Sequence, residues 1–189
     1  VDGLQGYLEL EDIAACRLIV LQLEIPLETV YEAIDLGRRH GVPVLLNPAP
    51  ADPDLQLERI RGCDYIVPNE TELAMLTGMP TDTSDAVRRA AATLRETGFP
   101  NVIVTLGEQG ALWLSDAGAR HLPGVPVAAR DTTGAGDAFI GCFSHHLVQT
   151  DDVERSLEMA VRYSADSVTK RGTQASFATA AAFEANLPD

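Results

Sequence analysis

Between Arg17 and Leu46 two apolar runs enclose one amphipathic segment, and that order restricts the fold more than any other feature of the chain. Arg17 to Leu23 is apolar, carries β-branched residues and is bounded by charge, which predicts a buried strand. Leu27, Val30, Tyr31 and Ile34 then share one helical face, and Gly41 stands where that helix should stop. Val42 to Leu46 predicts a second buried strand, closed by Asn47-Pro48-Ala49-Pro50. Strand, helix and strand in this succession form a βαβ unit, so the strands are parallel and the crossover right-handed.

The same alternation continues. A short helix is expected over Leu55 to Arg61 and a brief strand over Tyr65 to Val67. Asn69 is placed to cap the next helix, with Glu72 three residues on in a capping-box arrangement. Val87, Ala90, Ala91 and Leu94 mark an amphipathic helix that Gly98 closes. Val102 to Leu106 predicts a strand, and Gly107-Glu108-Gln109-Gly110 turns it into an antiparallel return over Ala111 to Leu114. His121 to Ala128 holds short extended pieces. A helix is expected from Gly136 to the Asp151-Asp152 break, and another carries Leu157, Ala160, Val161, Ser164 and Val168 on one side. Thr169 to Ser176 reads as a polar loop and Thr179 to Ala185 as a short terminal helix.

No repeat, low-complexity tract or linker interrupts this order, so residues 1–189 are expected to form a single α/β domain. Its sheet should be mostly parallel, with helices on both faces in three Rossmann-like layers. Ligands of such sheets bind outside the carboxyl ends of the strands. Glu24, Asn47, Asn69, Gly107 and the Asp131 to Asp137 loop all follow predicted strands or strand-like segments, so they are expected to converge on one rim.

Chemistry concentrates in Asp131-Thr132-Thr133-Gly134-Ala135-Gly136-Asp137-Ala138-Phe139. A glycine-rich turn that opens a helix leaves N–H groups without partners, and the helix dipole makes them an anion site. Asp137 falls in the first turn beside that site. A carboxylate next to an oxyanion-binding turn suits proton removal while negative charge develops, as phosphoryl transfer to a hydroxyl requires. An aspartate in a first turn also serves simply as a partner of the dipole, so both roles stand at this point. A Walker-type loop is excluded, because it needs Gly-Lys-Ser or Gly-Lys-Thr and the single lysine, Lys170, follows no glycine.

The net charge of −14 argues against a nucleic-acid partner. It would also repel a nucleotide phosphate, so local positive features and a divalent cation become necessary. Cys16, Cys63 and Cys142 are odd in number and far apart, and are expected to be reduced, mostly buried thiols of a cytoplasmic protein. His145 and His146 are adjacent and so point apart on a helix, which disfavours zinc. No apolar run reaches membrane-spanning length, and no signal peptide or membrane partner is expected.

Several stretches, in order along nearly the whole chain, resemble the ribokinase-like (PfkB) carbohydrate kinases. They are Gln22 to Glu28, Leu46-Asn47-Pro48-Ala49-Pro50-Ala51, Pro68-Asn69-Glu70-Thr71-Glu72, Val104 to Gly110, Asp131 to Asp137 and Val168 to Ser176. The Gly-Ala-Gly-Asp signature is the superfamily's, while Leu-Asn-Pro-Ala-Pro and Gln-Leu-Glu point to the ribokinase branch. The resemblance implies ATP-dependent phosphorylation of D-ribose at its 5-hydroxyl, giving ribose 5-phosphate. It implies Asp137 as the base, and the amides around Gly134, Ala135 and Gly136 as the anion hole. Asn69 would approach the nucleotide phosphates, and Thr105, Leu106, Gly107, Glu108, Gln109 and Gly110 would border the nucleotide. Glu24 would contact ribose. Glu72 would hold Mg²⁺ largely through water, as that hydrated ion prefers.

Asp131, Thr133, Ser167, Lys170, Gly172 and Ser176 match a potassium-binding loop, Lys170 through its backbone rather than its charge. Val161 stands where the family often has a histidine or asparagine near the adenine, and it offers the base no side-chain hydrogen bond. The family's N-terminal half, with a Gly-Gly-Lys-Gly-type motif and a β-sheet lid, has no counterpart here, so the chain is expected to begin in the middle of the fold. Any homodimer would belong to the full-length protein, through that lid. The remaining alternatives are another sugar or nucleoside kinase of the family, or an inactive nucleotide-binding fragment.

Overall fold

The structure, a computed structural model, describes residues 13–185. The outer parts of the expected 1–189 domain, residues 1–12 and 186–189, lie outside the described residues. Among the described residues one compact unit takes those up to Leu106 together with Leu112–Arg120. The other takes Gly107–Ala111 and the residues from His121 onward.

In the first unit β1 (Ile19–Leu21), β2 (Val44–Leu46), β3 (Tyr65–Ile66) and β4 (Asn101–Thr105) lie side by side in chain order, all parallel. The register sets Ile19 beside Val44, Leu45 beside Tyr65 and Tyr65 beside Asn101. The connections carry α1 (Leu27–His40), α2 (Leu57–Ile60), α3 (Glu70–Thr77) and α4 (Ser84–Glu96). Right-handed crossovers that advance in one direction place their helices on one face of the sheet. The core agrees: Val44, Leu46, Ile66, Val102 and Val104 cluster with Val30, Ile34, Ile60, Leu73, Ala90 and Leu94. The alternate strand residues Leu45 and Ile103 are fully buried too, as expected of a parallel sheet covered on both sides.

The sheet order continues with β5 (Gly110–Ser115) and β6 (Gly118–Pro123). Their connections are too short for a crossover, so the sheet is mixed at this end. In the second unit a long loop leads to α5 (Ala135–Thr150), α6 (Val153–Ser167) and α7 (Ala180–Glu184). The αL residue Asp151 ends α5, and the Asp152 carboxylate accepts the Arg155 N–H at 2.9 Å to begin α6. These two residues are the expected break. Phe139, Phe143, Leu147, Leu157 and Ala160 are buried on the facing sides of the pair. Ser164 Oγ donates to the Ala135 carbonyl at 3.0 Å, fastening α6 to the first residue of α5. Cys63 and Cys142 are buried and Cys16 is exposed.

Candidate active site

In the first unit the strands hand over to one another at their carboxyl ends. Asn47 N–H donates to the Leu21 carbonyl, Val67 N–H to Leu46, and Thr105 N–H to Pro68. Asn47 Nδ2 donates to the Val67 carbonyl at 2.8 Å. Asn69 and Thr105 form an isolated parallel bridge beyond β3 and β4. Asn47, Asn69 and Thr105 therefore stand on one rim, and Glu24 follows β1 on the same carboxyl side, exposed.

Asn69 begins α3 as the sequence predicts. Its Oδ1 accepts the Glu72 N–H at 2.9 Å, while Glu72 Oε2 accepts the Asn69 N–H at 2.8 Å. Asn69 Nδ2 also donates to Glu72 Oε1 at 2.8 Å. One Nδ2 hydrogen and one lone pair on each Glu72 oxygen are left over. Glu72 is 6% exposed, and its burial raises its pKa although the Asn69 bonds pull the other way. The cap and a role toward ligand are thus compatible: Asn69 itself is exposed, and the carboxylate behind it is held rigid.

In the second unit the turn before α5 has the expected form, with one refinement. Gly134 caps the helix at φ 78° and ψ 6°, and α5 starts at Ala135 rather than Gly136. A side chain at Gly134 is barred twice, because the backbone is left-handed and a Cβ there would lie 2.4 Å from Thr173 Cγ2. The Ala135 N–H is already given to the Thr132 carbonyl at 3.2 Å. Among the described residues the Gly134, Gly136 and Asp137 N–H groups have no acceptor, so these are the amides of the turn open to an anion. Asp137 is exposed and lines a largely apolar cleft of about 250 Å³ with Gly141, Cys142, His145, Tyr163, Phe177 and Phe183. Asp137 thus stands in the first turn of α5, next in sequence to the available amides.

The loop behind this turn is closed by polar contacts. Asp131 Oδ1 accepts the Thr133 N–H at 3.0 Å and Oδ2 accepts the Gly172 N–H at 2.9 Å. These bonds, that from Gly172 first, hold the Asp131 carboxyl down at about 2. Ser167 and Ser176 are buried and give their hydroxyls to the carbonyls of Ser164 and Thr173. Lys170 Nζ pairs with Asp166 Oδ2 at 2.5 Å and donates to the Ser176 carbonyl at 3.3 Å. Its charge is therefore in use, where the sequence suggested a backbone role alone.

The Gly107–Gln109 segment is a 3₁₀ turn whose residues are exposed, and His121 Nε2 lies 2.9 Å from the Gln109 carbonyl. Val161 is 7% exposed within α6, so its side chain is packed away. Sequence reasoning missed Thr173, Tyr163, Phe177, Phe183 and His121. Asp137, Gly141 and His145 recur every fourth residue, which was a signal for one wall of the cleft. The Thr173 contact has no local signal, because only tertiary folding brings it to Gly134.

An exposed carboxylate in the first turn of a helix, next to unpartnered amides and in a chain with a largely parallel α/β sheet, is an arrangement able to receive an anion through the backbone. Residues 6–180 match the model of the pfkB family carbohydrate kinases, and the chain belongs to that family. It is 56% identical over 167 residues to a deoxyribokinase of Salmonella typhi, covering 88% of this chain and 55% of that protein. A ribokinase of Schizosaccharomyces pombe is 43% identical over 168 residues, covering 87% and 52%. The Arabidopsis thaliana ribokinase complexed with ribose and ATP superposes with a TM-score of 0.87 at 30% identity, over 93% of this chain and 57% of that one. The fold is accordingly the three-layer α/β/α arrangement of that family. The chain spans about half the length of the curated relatives it matches.

Proposed function

We propose that the chain is the nucleotide-binding and catalytic portion of an ATP-dependent pentose kinase acting on the sugar 5-hydroxyl. The observation that carries this is the exposed Asp137 carboxylate beside the unpartnered Gly136 and Asp137 N–H groups. In this reading Asp137 takes the proton of the 5-hydroxyl. The freed oxygen bonds to the γ-phosphorus as its bond to the bridging oxygen breaks, leaving ADP and the sugar 5-phosphate. The amides of the turn stabilise the charge on the transferred group, which is the larger part of phosphoryl-transfer catalysis. The remaining Nδ2 hydrogen of Asn69 serves the nucleotide phosphates, Thr105 to Gly110 border the nucleotide, and Glu24 contacts the sugar.

Two ions belong to the same reading. The spare lone pairs of Glu72 suit the water shell of Mg²⁺ better than the ion itself, since the carboxylate is buried and already accepts two hydrogen bonds. Such an ion would offset phosphate charge in a chain of net charge −14. The carbonyls of Asp131, Thr133, Lys170 and Gly172 accept no hydrogen bond among those of the described residues, a donor set that suits K⁺. A homodimer of the full-length protein rests on the ribokinase-type resemblance, and a cytoplasmic location on Cys16, Cys63 and Cys142 as reduced thiols.

D-ribose is the substrate that the Leu-Asn-Pro-Ala-Pro and Gln-Leu-Glu segments favour. The 56% identity to a deoxyribokinase favours 2-deoxyribose as the second reading. Both sugars carry the 5-hydroxyl that Asp137 addresses. The test expresses the longest reading frame that contains this chain and measures ADP release with ribose, 2-deoxyribose and a panel of other sugars and nucleosides. The ratio of kcat/KM between the two pentoses decides the sugar. Asp137→Asn should cost about a thousandfold in kcat, within the range for loss of a positioned base, and leave ATP binding largely intact. An Asp137→Asn enzyme turning over at near the wild-type rate removes the assignment.

A further inference from the structure

Lys170 is the single lysine of a chain that otherwise uses arginine for positive charge. Its ammonium holds both ends of one loop. It pairs with Asp166 on the last turn of α6 and reaches the carbonyl of Ser176, where the loop ends. A compact ammonium with three donors can serve both acceptors, whereas the planar fork of an arginine suits one bidentate partner. Two contacts carry the position of that loop forward. Gly172 N–H donates to Asp131 Oδ2, and Asp131 Oδ1 accepts the Thr133 N–H. Ser176 N–H and Oγ both donate to the Thr173 carbonyl, and Thr173 Cγ2 stands against Gly134.

We propose that Lys170 is a positioning residue for the Gly134–Asp137 turn, acting through the Gly172 and Thr173 contacts without touching the reactants. Fixing both loop ends lowers the entropy cost of holding Gly172 and Thr173 in place. Those two residues in turn hold the turn that presents the Gly136 and Asp137 amides. The inference rests on the proposed role of that turn, but its first test does not require phosphoryl transfer.

Hydrogen exchange is measured on the 189-residue chain over the segment that contains the bonded amides of Asp131, Thr133 and Ala135. Wild type, Lys170→Gln, Lys170→Arg and wild type acetylated after folding are compared. An amine-directed acetylating ester reaches only Lys170 and the α-amine, so the modified protein has already folded whatever the fate of the glutamine variant. Exchange in that segment should quicken about tenfold on acetylation and in Lys170→Gln, the signature of a locally loosened unit. Lys170→Arg, whose fork suits only one of the two acceptors, should fall between wild type and Lys170→Gln and should not respond further to the ester.

Unchanged exchange over Asp131 to Ala135, with faster exchange confined to residues 170–176, overturns the proposal. In the kinase assay Lys170→Gln should lower kcat about tenfold, as small misplacements of reacting groups do, with the sugar KM within about twofold. A rise in sugar KM at unchanged kcat would also overturn it. A wild type without turnover would refute the kinase reading instead, and the exchange result would still decide the role of Lys170.

Discussion

The carboxylate of Asp131 accepts the N–H of Gly172 at 2.9 Å, joining two loops forty-one residues apart. Together with the donation from Thr133, this bond keeps the Asp131 carboxyl ionised down to about 2, against an ordinary value of 3.8. A carboxyl with a depressed pKa in the folded state contributes stability above its unfolded pKa. That contribution is lost as pH falls through the folded value. The window for this residue therefore lies between about 4 and about 2. Asp131→Asn should lower the thermal midpoint at neutral pH, and the gap to wild type should close as pH drops through that window. A gap that stays constant across melts from neutral pH to pH 2 would show that the ionised carboxylate contributes nothing at this joint.

Asn69 combines two roles that mutation can separate. Serine caps a helix about as well as asparagine but has no amide to donate. Asn69→Ser should therefore cost less than about 1 kcal/mol in urea unfolding. It should still raise KM for ATP severalfold if the spare Nδ2 hydrogen serves the nucleotide. Glu72→Ala removes the acceptor of the Asn69 N–H and the anchor of its side chain, and should cost about 1–2 kcal/mol. Equal stability losses in the two variants would mean that the Nδ2 bond to Glu72, rather than the cap, supports this helix start.

Tyr31 ties α1 to the segment before α2. Its ring is 2% exposed, its hydroxyl accepts the Gln56 N–H at 2.9 Å, and the Arg59 guanidinium lies 4.1 Å from the ring centre. Arg59 is held in turn by Glu28 at 2.8 Å. Tyr31→Phe keeps the ring and the cation–π contact but strands the Gln56 N–H, at a cost of about 1–2 kcal/mol. Glu28→Ala removes an exposed ion pair and should cost under about 1 kcal/mol. Chemical denaturation of both variants checks the order, and a larger loss from Glu28→Ala would reverse this account.

How much of this was readable in the sequence depends on how far apart the partners lie. The capping box at Asn69 and Glu72 spans three residues and was legible, as were the alternation of strands and helices along the chain and the break at Asp151-Asp152. Strand ends were not: Arg17 to Leu23 reads as one mostly apolar run, yet β1 is only Ile19–Leu21. Leu23 leaves the ladder because its N–H bonds to the Ala49 carbonyl, a partner that local pattern cannot name. Likewise His121 to Ala128 looked extended, but β6 is Gly118–Pro123 and stops before the exposed Val125 and Val127. The Asp131 to Asp137 turn announced its glycines and its acid. That Thr173 is the reason for Gly134, and that Lys170 holds the loop behind it, required the tertiary structure.

The two glycines of that turn make opposite demands, and this separates folding from chemistry. Gly134 has φ 78° and no room for a side chain, so Gly134→Ala must strain the backbone or push Thr173 away. It should lose about 1–2 kcal/mol of stability together with all turnover. Gly136 lies inside the first turn of α5, and a Cβ added there meets nothing within 4 Å. Alanine is a better helix former than glycine, so Gly136→Ala should hold or raise stability, by up to about 1 kcal/mol. If a phosphoryl group approaches the Gly136 and Asp137 amides, that new methyl occupies open space beside its path. Turnover should then fall at least about tenfold in a protein that melts no lower than wild type, since small misplacements of reacting groups carry such penalties. Gly136→Ala with full activity would mean that the anion does not come this close to the backbone, and the amide cradle would have to be given up.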